Sequence, residues 1–439
     1  ERFREAVSIT PDYVKAWSHL GEVLTGLCRF DEAEDALRRA VEAAPKSASA
    51  WSSLSSLLFE HRSDFARALE CADRAIELQS DLVGARSVRA MILQALGRSE
   101  ESLAECNRTL EAYPDHGEIH VTRSLARLML GDIEGGWTDY EWRRNTFQCF
   151  AFRPFKHADW RGEPLDGKTI LIYAEQGLGD EIMFASCIGD VIPRAGHCVI
   201  DCHPKLEKLF RRSFPEATIH GGSQVDTDLS WLERIPSADL KIPSGSLPFH
   251  FRRSLDAFPR HTGYLRADEA RVQHWRSRLA VLGDGLKVGL SWRGGSRFTH
   301  RGLRSLELDQ LQVLLGVQGI DFVSVQYGDC AAEIDRLQQE KGISIAHWPE
   351  AIDDYDETAA LVSALDLVIS VQTAVVHLGG ALGKPVWVMV PAAPEWRYGR
   401  SGSTIPWYPS VTLFRQRVLH DWQPVISEVT EHLRSRVAC

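Results

Sequence analysis

No stretch of this chain approaches the roughly 18 consecutive apolar residues that a membrane-spanning helix needs, and nothing near its start has the order of a secretory leader. We therefore expect a cytoplasmic protein with no membrane span. The nine cysteines form an odd, scattered set with no Cys-x-x-Cys pair and no zinc-like spacing. That excludes a disulfide framework and a cysteine zinc site as working hypotheses and favours reduced thiols; Cys198 and Cys202 fall on one side of an expected strand as small hydrophobes. Basic charge is also short: 50 Lys and Arg stand against 60 Asp and Glu, a formal net charge of −10. Tracking phosphates along a nucleic acid needs a basic stripe, and Arg211-Arg212 and Arg252-Arg253 are too short to supply one. An initiating methionine is missing as well. The chain opens at Glu1 inside what proves to be a repeat, so we expect residues upstream of it.

What is present is a globular composition, 44% hydrophobic and 25% charged over 439 residues, enough for two or three domains. The first part repeats itself. Pro11, Pro45, Ser80 and Pro114 are 34, 35 and 34 positions apart, Trp17 aligns with Trp51, and Cys28, Ser63, Gly97 and Gly131 share the next turn. Small residues such as Ala33, Ala40, Ala68 and Ala75 stand where two helices must approach closely. This period resembles the tetratricopeptide repeat, a helix-turn-helix unit whose apolar stripe is buried only by its neighbour. The segment 3–11 fits the second helix of a unit whose first helix is absent. We expect repeats over 1–147 that recruit a protein, with a spacer or dimerisation surface as the plainer alternative.

A Pro- and aromatic-rich connector, 148–167, follows. Beyond it, short β-rich runs alternate with helical periodicity: strands are expected at 169–174, 197–203, 217–220 and 238–242, and a second series at "KVGLSW", "IDFVSVQ", "DLVISV", "PVWVMV" and "VTLFR". Strands separated by helices imply parallel sheets covered on both faces. The fold class expected is thus α + α/β: a helical superhelix, then two Rossmann-like domains over 168–270 and 286–439.

Ligands of open α/β sheets bind at the carboxyl ends of the strands. One such end carries "AEQGLGDEIMFAS", 174–186. It is not a dinucleotide fingerprint, because Ile182 stands where a third Gly or Ala belongs, and it lacks the Lys-Ser/Thr of a P-loop. Gly177 and Gly179 allow a tight turn and close approach of a ligand, and Asp180 can either cap the next helix or face a cleft. A second strand end, "SVQTAVVHLGGALGKP", enters a helix near Thr373 whose free N–H groups favour an anion. His377, one turn on, reads equally as a nucleotide contact or a satisfied core histidine.

"EQGLGDEIMFAS", with the W160-to-K168 stretch, "GLSWRGG", "RSLELDQL", "LDLVISVQTAVVHLGGALGKPVWVMV", "PEWRYG" and "WYPS" in the same order, resembles the heptosyltransferase-like glycosyltransferases of the GT-B type, in the variant preceded by tetratricopeptide repeats. Glu175 and Gln176 are typical of that variant. The resemblance implies that Asp180 is the catalytic base, with Glu181 in reserve and Gly179 beside it. It implies a donor site drawn from Arg293, Arg304, Gln372, Thr373, Ala374 and His377, with Gln326, Trp396 and Arg397 as further candidates. Arg304 stands where such enzymes often have a phosphate-binding Lys. Arg297 and Arg301 share its basic segment, and an exposed structural arginine is the plainer reading of Arg297. One departure matters: these enzymes usually have Asp before the Thr, where this chain has Gln372, which can orient the turn but supplies no charge.

Asp226-Thr-Asp228 is a chance match to the Asp-x-Asp of metal-dependent enzymes of another fold, and "DDYDE", 353–357, supplies acids to a helix start. We expect metal-independent, inverting transfer from a sugar nucleotide, with no other cofactor, to Ser or Thr of a protein held by the repeats. Resemblance to repeat-bearing transferases of motile bacteria makes flagellin an acceptor to consider. A silent scaffold, favoured by Gln372, and an epimerase-like enzyme stay open.

Overall fold

Six residues after each of Pro11, Pro45, Ser80 and Pro114 stands a side chain with an N–H to give, and each gives it to the carbonyl at the start of its own unit. Trp17 Nε1 donates to Pro11 (2.7 Å), Trp51 Nε1 to Pro45 (3.0 Å), Arg86 Nε to Ser80 (2.6 Å) and His120 Nε2 to Pro114 (2.7 Å). An indole, a guanidinium and an imidazole thus do one job, fixing the loop that enters each first helix.

The computed structural model describes residues 1–146, 155–222, 228–295 and 301–437, in two units. The first holds Glu1–Thr146 with short later segments, Ala393–Trp396 among them. Helix α1 (Arg2–Ile9) is followed by four pairs: α2 (Val14–Gly26) with α3 (Phe30–Ala43), α4 (Ala48–Leu57) with α5 (Phe65–Leu78), α6 (Val83–Ala95) with α7 (Ser99–Ala112), and α8 (Gly117–Leu130) with α9 (Ile133–Tyr140). Ala33, Ala40, Ala68 and Ala75 are fully buried, as close helix approach demands. Cys28, Ser63, Gly97 and Gly131 all have positive φ, between 54° and 89°, which reverses the chain between paired helices. The extra residue of the second unit is absorbed by a π-helical turn, Leu58–Arg62, so the register of later units is preserved.

Two further columns change character along the array. Leu20 and Leu54 become Arg89 and Arg123, while Ala36 and Cys71 on the facing helix become Glu105 and Asp139. Glu105 accepts from Arg86 and from Arg89 (3.0 Å); Asp139 accepts from His120 Nδ1 (2.7 Å), Arg123 (2.7 Å) and Arg127 (2.8 Å). Both acids are 3% exposed as side chains, so their charges are tolerated only because several donors surround each.

Burial alone would raise the pKa of Asp139, but hydrogen bonds from Arg123 and His120 outweigh it and hold the carboxyl below the usual aspartate range. A depressed folded-state pKa contributes stability that is complete above the unfolded value of about 3.9 and is lost as pH falls through the folded value. Acidification of the full chain from about pH 5 to pH 3 is expected to lower its helical melting midpoint. In Asp139→Asn, melted by circular dichroism over the same range, that slope should be shallower.

The second unit holds two parallel sheets, each of five strands among the described residues. The first, in spatial order β1-β5-β2-β3-β4, consists of β1 (Ala158–Asp159), β2 (Thr169–Tyr173), β3 (His197–Cys202), β4 (Thr218–Gly221) and β5 (Leu240–Pro243). The second, β10-β9-β8-β6-β7, consists of β6 (Leu286–Ser291), β7 (Ile320–Ser324), β8 (Leu367–Ser370), β9 (Val386–Val390) and β10 (Val411–Arg415). Their apolar runs are buried on both faces, which is why they read as continuous hydrophobic stretches: Ile170, Leu171, Ile172, Val288, Leu290, Val368 and Ile369 are all 1% exposed or less. From β2 the chain moves to β3 on one side and later returns to β5 on the other; from β6 it moves to β7 and returns to β8. A crevice opens where strand order reverses in this way. The loops after β2, β6 and β8 leave at those points, and the loop after β9 lies one strand further on.

The connection between the halves is fastened to both. The backbone N–H groups of Tyr264 and Leu265 donate to Ala381 O (2.8 and 3.0 Å), and Tyr264 OH donates to Ile182 O (2.7 Å).

Candidate functional site

The segment after β2 turns at Gly177, which caps α10 (Leu178–Ala185) with its backbone and no side-chain bond. Asp180 therefore stands two residues inside the helix rather than at its cap. Its carboxylate is left for another partner, and Oδ1 accepts from Nη2 of Arg397, with both side chains largely buried. Gly179 lies where the two halves approach closely: a Cβ there would stand 3.1 Å from His377 Cδ2 and 3.3 Å from Ala374 Cα. A Cβ at 179 would require α10 or the helix Ala374–Ala381 to give by a few tenths of an ångström. Glu181 points elsewhere. It is 3% exposed and accepts from His203 N at 2.8 Å, which ties α10 to the end of β3. Glu175 likewise accepts from Gly245 N at 3.1 Å.

On the opposing side, Thr373 caps the helix Ala374–Ala381 by accepting from Val375 N at 3.2 Å, and its hydroxyl lies 3.1 Å from Ser370 Oγ. The turn leading to it is tightly packed: a Cβ on Gly294 would stand 2.4 Å from Gln372 O. Gln372 is 2% exposed. His377 is buried with Nδ1 3.1 Å from Tyr408 OH; burial, and then the charge of Arg397, hold its pKa well below the ordinary value. A neutral imidazole contributes shape and a hydrogen bond here, but no charge for a phosphate.

Arg304 joins Arg397 and Asp180. Burial, followed by the neighbouring Arg397 charge, pushes the Arg304 guanidinium down to about 10, with Tyr398, Tyr327 and Asp180 acting the other way. It stays a cation at neutral pH. Two guanidinium groups and one carboxylate thus act on one another in a site partly sheltered from water, where cations can meet an anionic ligand. Burial pushes the Tyr398 hydroxyl up to about 12, so it remains a neutral donor beside them. Arg415 straps the loop that carries these groups, donating to the carbonyls of Tyr398 (2.5 Å), Gly399 (2.9 Å), Ser401 (3.2 Å) and Gly402 (2.6 Å).

Other sequence candidates lie outside the cluster. Arg293 pairs with Glu333 and donates to Asp329 O (3.0 Å). Gln326, 1% exposed, accepts from Trp292 N (2.9 Å) and Arg293 N (2.8 Å) and donates to Tyr327 O (2.9 Å), so it braces the loop after β6. Trp396 belongs to the first unit, where its ring meets that of Trp137 edge-on at 5.5 Å. Arg301 is exposed; Arg297 and Asp226 lie outside the described residues. Asp228 accepts from Ser230 N at 2.9 Å, and Asp354 caps the helix Tyr355–Ala364 with Asp356 and Glu357 in its first turn. Among the described residues no three His, Cys, Asp or Glu side chains converge as a metal site, and no helix is long and apolar enough to cross a membrane. Sequence reasoning did not single out Tyr398, Tyr408 or Arg415. The adjacency of Tyr398 to Arg397 in "PEWRYG" was a usable signal; Tyr408 stands in "WYPS", but nothing there points to its pairing with His377, 31 residues away.

The tetratricopeptide repeat family models match residues 1–58 and 56–117. Protein FlbA of Caulobacter vibrioides is 33% identical over 445 residues, covering 98% of this chain and 74% of FlbA. Anaphase-promoting complex subunit 3 of Schizosaccharomyces pombe is 29% identical over 118 residues, 27% of this chain and 18% of that protein. Among solved structures, PilW, described as a widely conserved type IV pilus biogenesis factor, aligns over 34% of this chain and 69% of its own at 20% identity and a TM-score of 0.31.

Proposed function

This chain belongs to the FlbA family, and we propose on that premise that it is an inverting glycosyltransferase which moves a sugar from a nucleotide donor to a hydroxyl of a protein held by its repeats. The observation that carries the reading is the pairing of Asp180, from the loop after β2, with Arg397, from the loop after β9, within range of the charge of Arg304, from the loop after β6. Such a cluster pairs a base with cations for a departing anion, the two groups that this chemistry needs.

In the proposed reaction Asp180 takes the proton of the acceptor hydroxyl as its oxygen bonds to the anomeric carbon. The bond from that carbon to the nucleotide breaks, and its electron pair leaves on a phosphate oxygen. Arg304 and Arg397 stabilise the charge that collects there, and the N-terminus of the helix Ala374–Ala381 adds its free N–H groups. The repeats supply the acceptor; the neutral Gln372 turn supports the second reading, a protein-binding scaffold without turnover.

The test is incubation of the chain with radiolabelled sugar nucleotides (UDP-, GDP-, ADP- and CMP-linked) and candidate acceptors, flagellin first. Label in the protein acceptor supports the transferase. Acceptor captured by the repeats, with no label from any donor in either the native chain or Gln372→Asp, supports the scaffold.

A further inference from the structure

Asp180 and Arg397 are 217 positions apart in sequence, yet the carboxylate proposed to act as a base is held by a guanidinium proposed to act on phosphate. These two duties conflict. A carboxylate paired with an arginine is stabilised in its charged form and is a poorer proton acceptor for it, while an arginine paired with a carboxylate has less attraction left for phosphate. The side chains of Arg397 and Asp180 are 14% and 20% exposed, so the pair is sheltered enough for the conflict to count, yet open enough for a ligand to reach it.

The neighbours determine which way the conflict resolves. Arg304 lies close enough for the Arg397 charge to depress its pKa, so each guanidinium feels the other's charge. A diphosphate brings two negative charges or more and can satisfy both guanidinium groups at once, in the forked geometry that arginine offers. Asp180 then gives up its partner. Among the described residues no helix N–H bonds to the Asp180 carboxylate, whose partner is Arg397.

We propose that Arg397 is a latch: it keeps Asp180 paired while the donor site is empty and releases the carboxylate as a base when a diphosphate takes the guanidinium. The latch rests on the transferase reading above. It makes the site ordered, since the base becomes competent only after the leaving group is in place, and an acceptor arriving first meets a carboxylate already engaged.

Competition of this kind leaves a mark in binding, apart from turnover. Titration calorimetry with inorganic pyrophosphate, in chelator, is made on the full chain and on Asp180→Asn, Arg397→Gln, Arg397→Lys and the Asp180→Asn/Arg397→Gln double variant. Asp180→Asn should bind about tenfold tighter than the native chain, within the usual range of coupling between sites. Arg397→Gln should bind about tenfold more weakly, with Arg397→Lys between it and the native chain because it keeps the charge. In the Arg397→Gln background the gain from Asp180→Asn should vanish, leaving the double variant within about twofold of the single one. A gain that persists there reports only removal of a negative charge from the neighbourhood and overturns the latch, as does an Asp180→Asn chain that binds no tighter. Sugar transfer by the native chain without this coupling, or without pyrophosphate binding, sinks the latch and leaves the transferase standing. Absence of both transfer and binding sinks the transferase reading itself.

Discussion

Replacing Asp180 by asparagine is expected to lower sugar transfer by about 10²- to 10⁴-fold, the range for loss of a general base, while the chain stays folded. The amide has the same shape, and Gly177 rather than Asp180 caps α10, so no local structure depends on the charge. The lost ion pair with Arg397 is sheltered, at 14% and 20% exposure, and the amide oxygen can still accept from the guanidinium, so the cost in an unfolding titration should be about 1–3 kcal/mol. Glu181→Gln makes the contrast. That carboxylate is buried and accepts from His203 N, so its loss should lower stability and leave turnover per folded molecule near native. Transfer by Asp180→Asn within about threefold of native, on the same scale of base catalysis, would remove Asp180 from the mechanism.

The largest structural effect is expected at Gly383. Its φ is +72°, and a Cβ there would lie 1.7 Å from Thr262 O, a backbone atom that cannot rotate away. Gly383→Val adds left-handed strain of about 1–2 kcal/mol and forces out the segment whose two N–H groups bond to Ala381 O, each worth about 1 kcal/mol. The total loss should be on the order of 3–5 kcal/mol, at the severe end for a single substitution. Gly399→Ala is the control, because φ there is +61° but nothing stands within 4 Å of the added carbon. It should cost about 1–2 kcal/mol. Urea unfolding followed by tryptophan fluorescence distinguishes the two; equal losses would mean that contact between the halves is not what restricts position 383.

Much of this architecture was legible because its causes are local. The step from Pro11 to Pro45 to Ser80 to Pro114 is visible in the sequence because each unit solves the same packing problem, and the shared turn at Cys28, Ser63, Gly97 and Gly131 needs the same positive φ each time. The strands were legible as apolar runs, since burial on both faces leaves no alternation to read. The partners of the site were not. Arg293 and Arg304 stand in one basic segment, yet Arg293 is turned to Glu333 while Arg304 is buried within range of the Arg397 and Asp180 charges, a choice made by residues dozens of positions away. Gln326, in a strand run, gives no sign that its amide will gather the backbone of the loop after β6. Sequence proximity marks which loops can reach a crevice; long-range packing decides which side chains enter it.

The change of the paired columns from Leu54 and Cys71 to Arg89 with Glu105, and to Arg123 with Asp139, restricts how such an array can be altered. An arginine at position 54 opposite Cys71 would bring a charge to a buried site with no acid in the facing column, whereas a glutamate at 71 would arrive within range of the Arg67 and Arg38 charges. The two orders of change are therefore unequal. A module of this chain passes from the oily kind to the salted kind more readily when the acid comes first and the facing arginine follows.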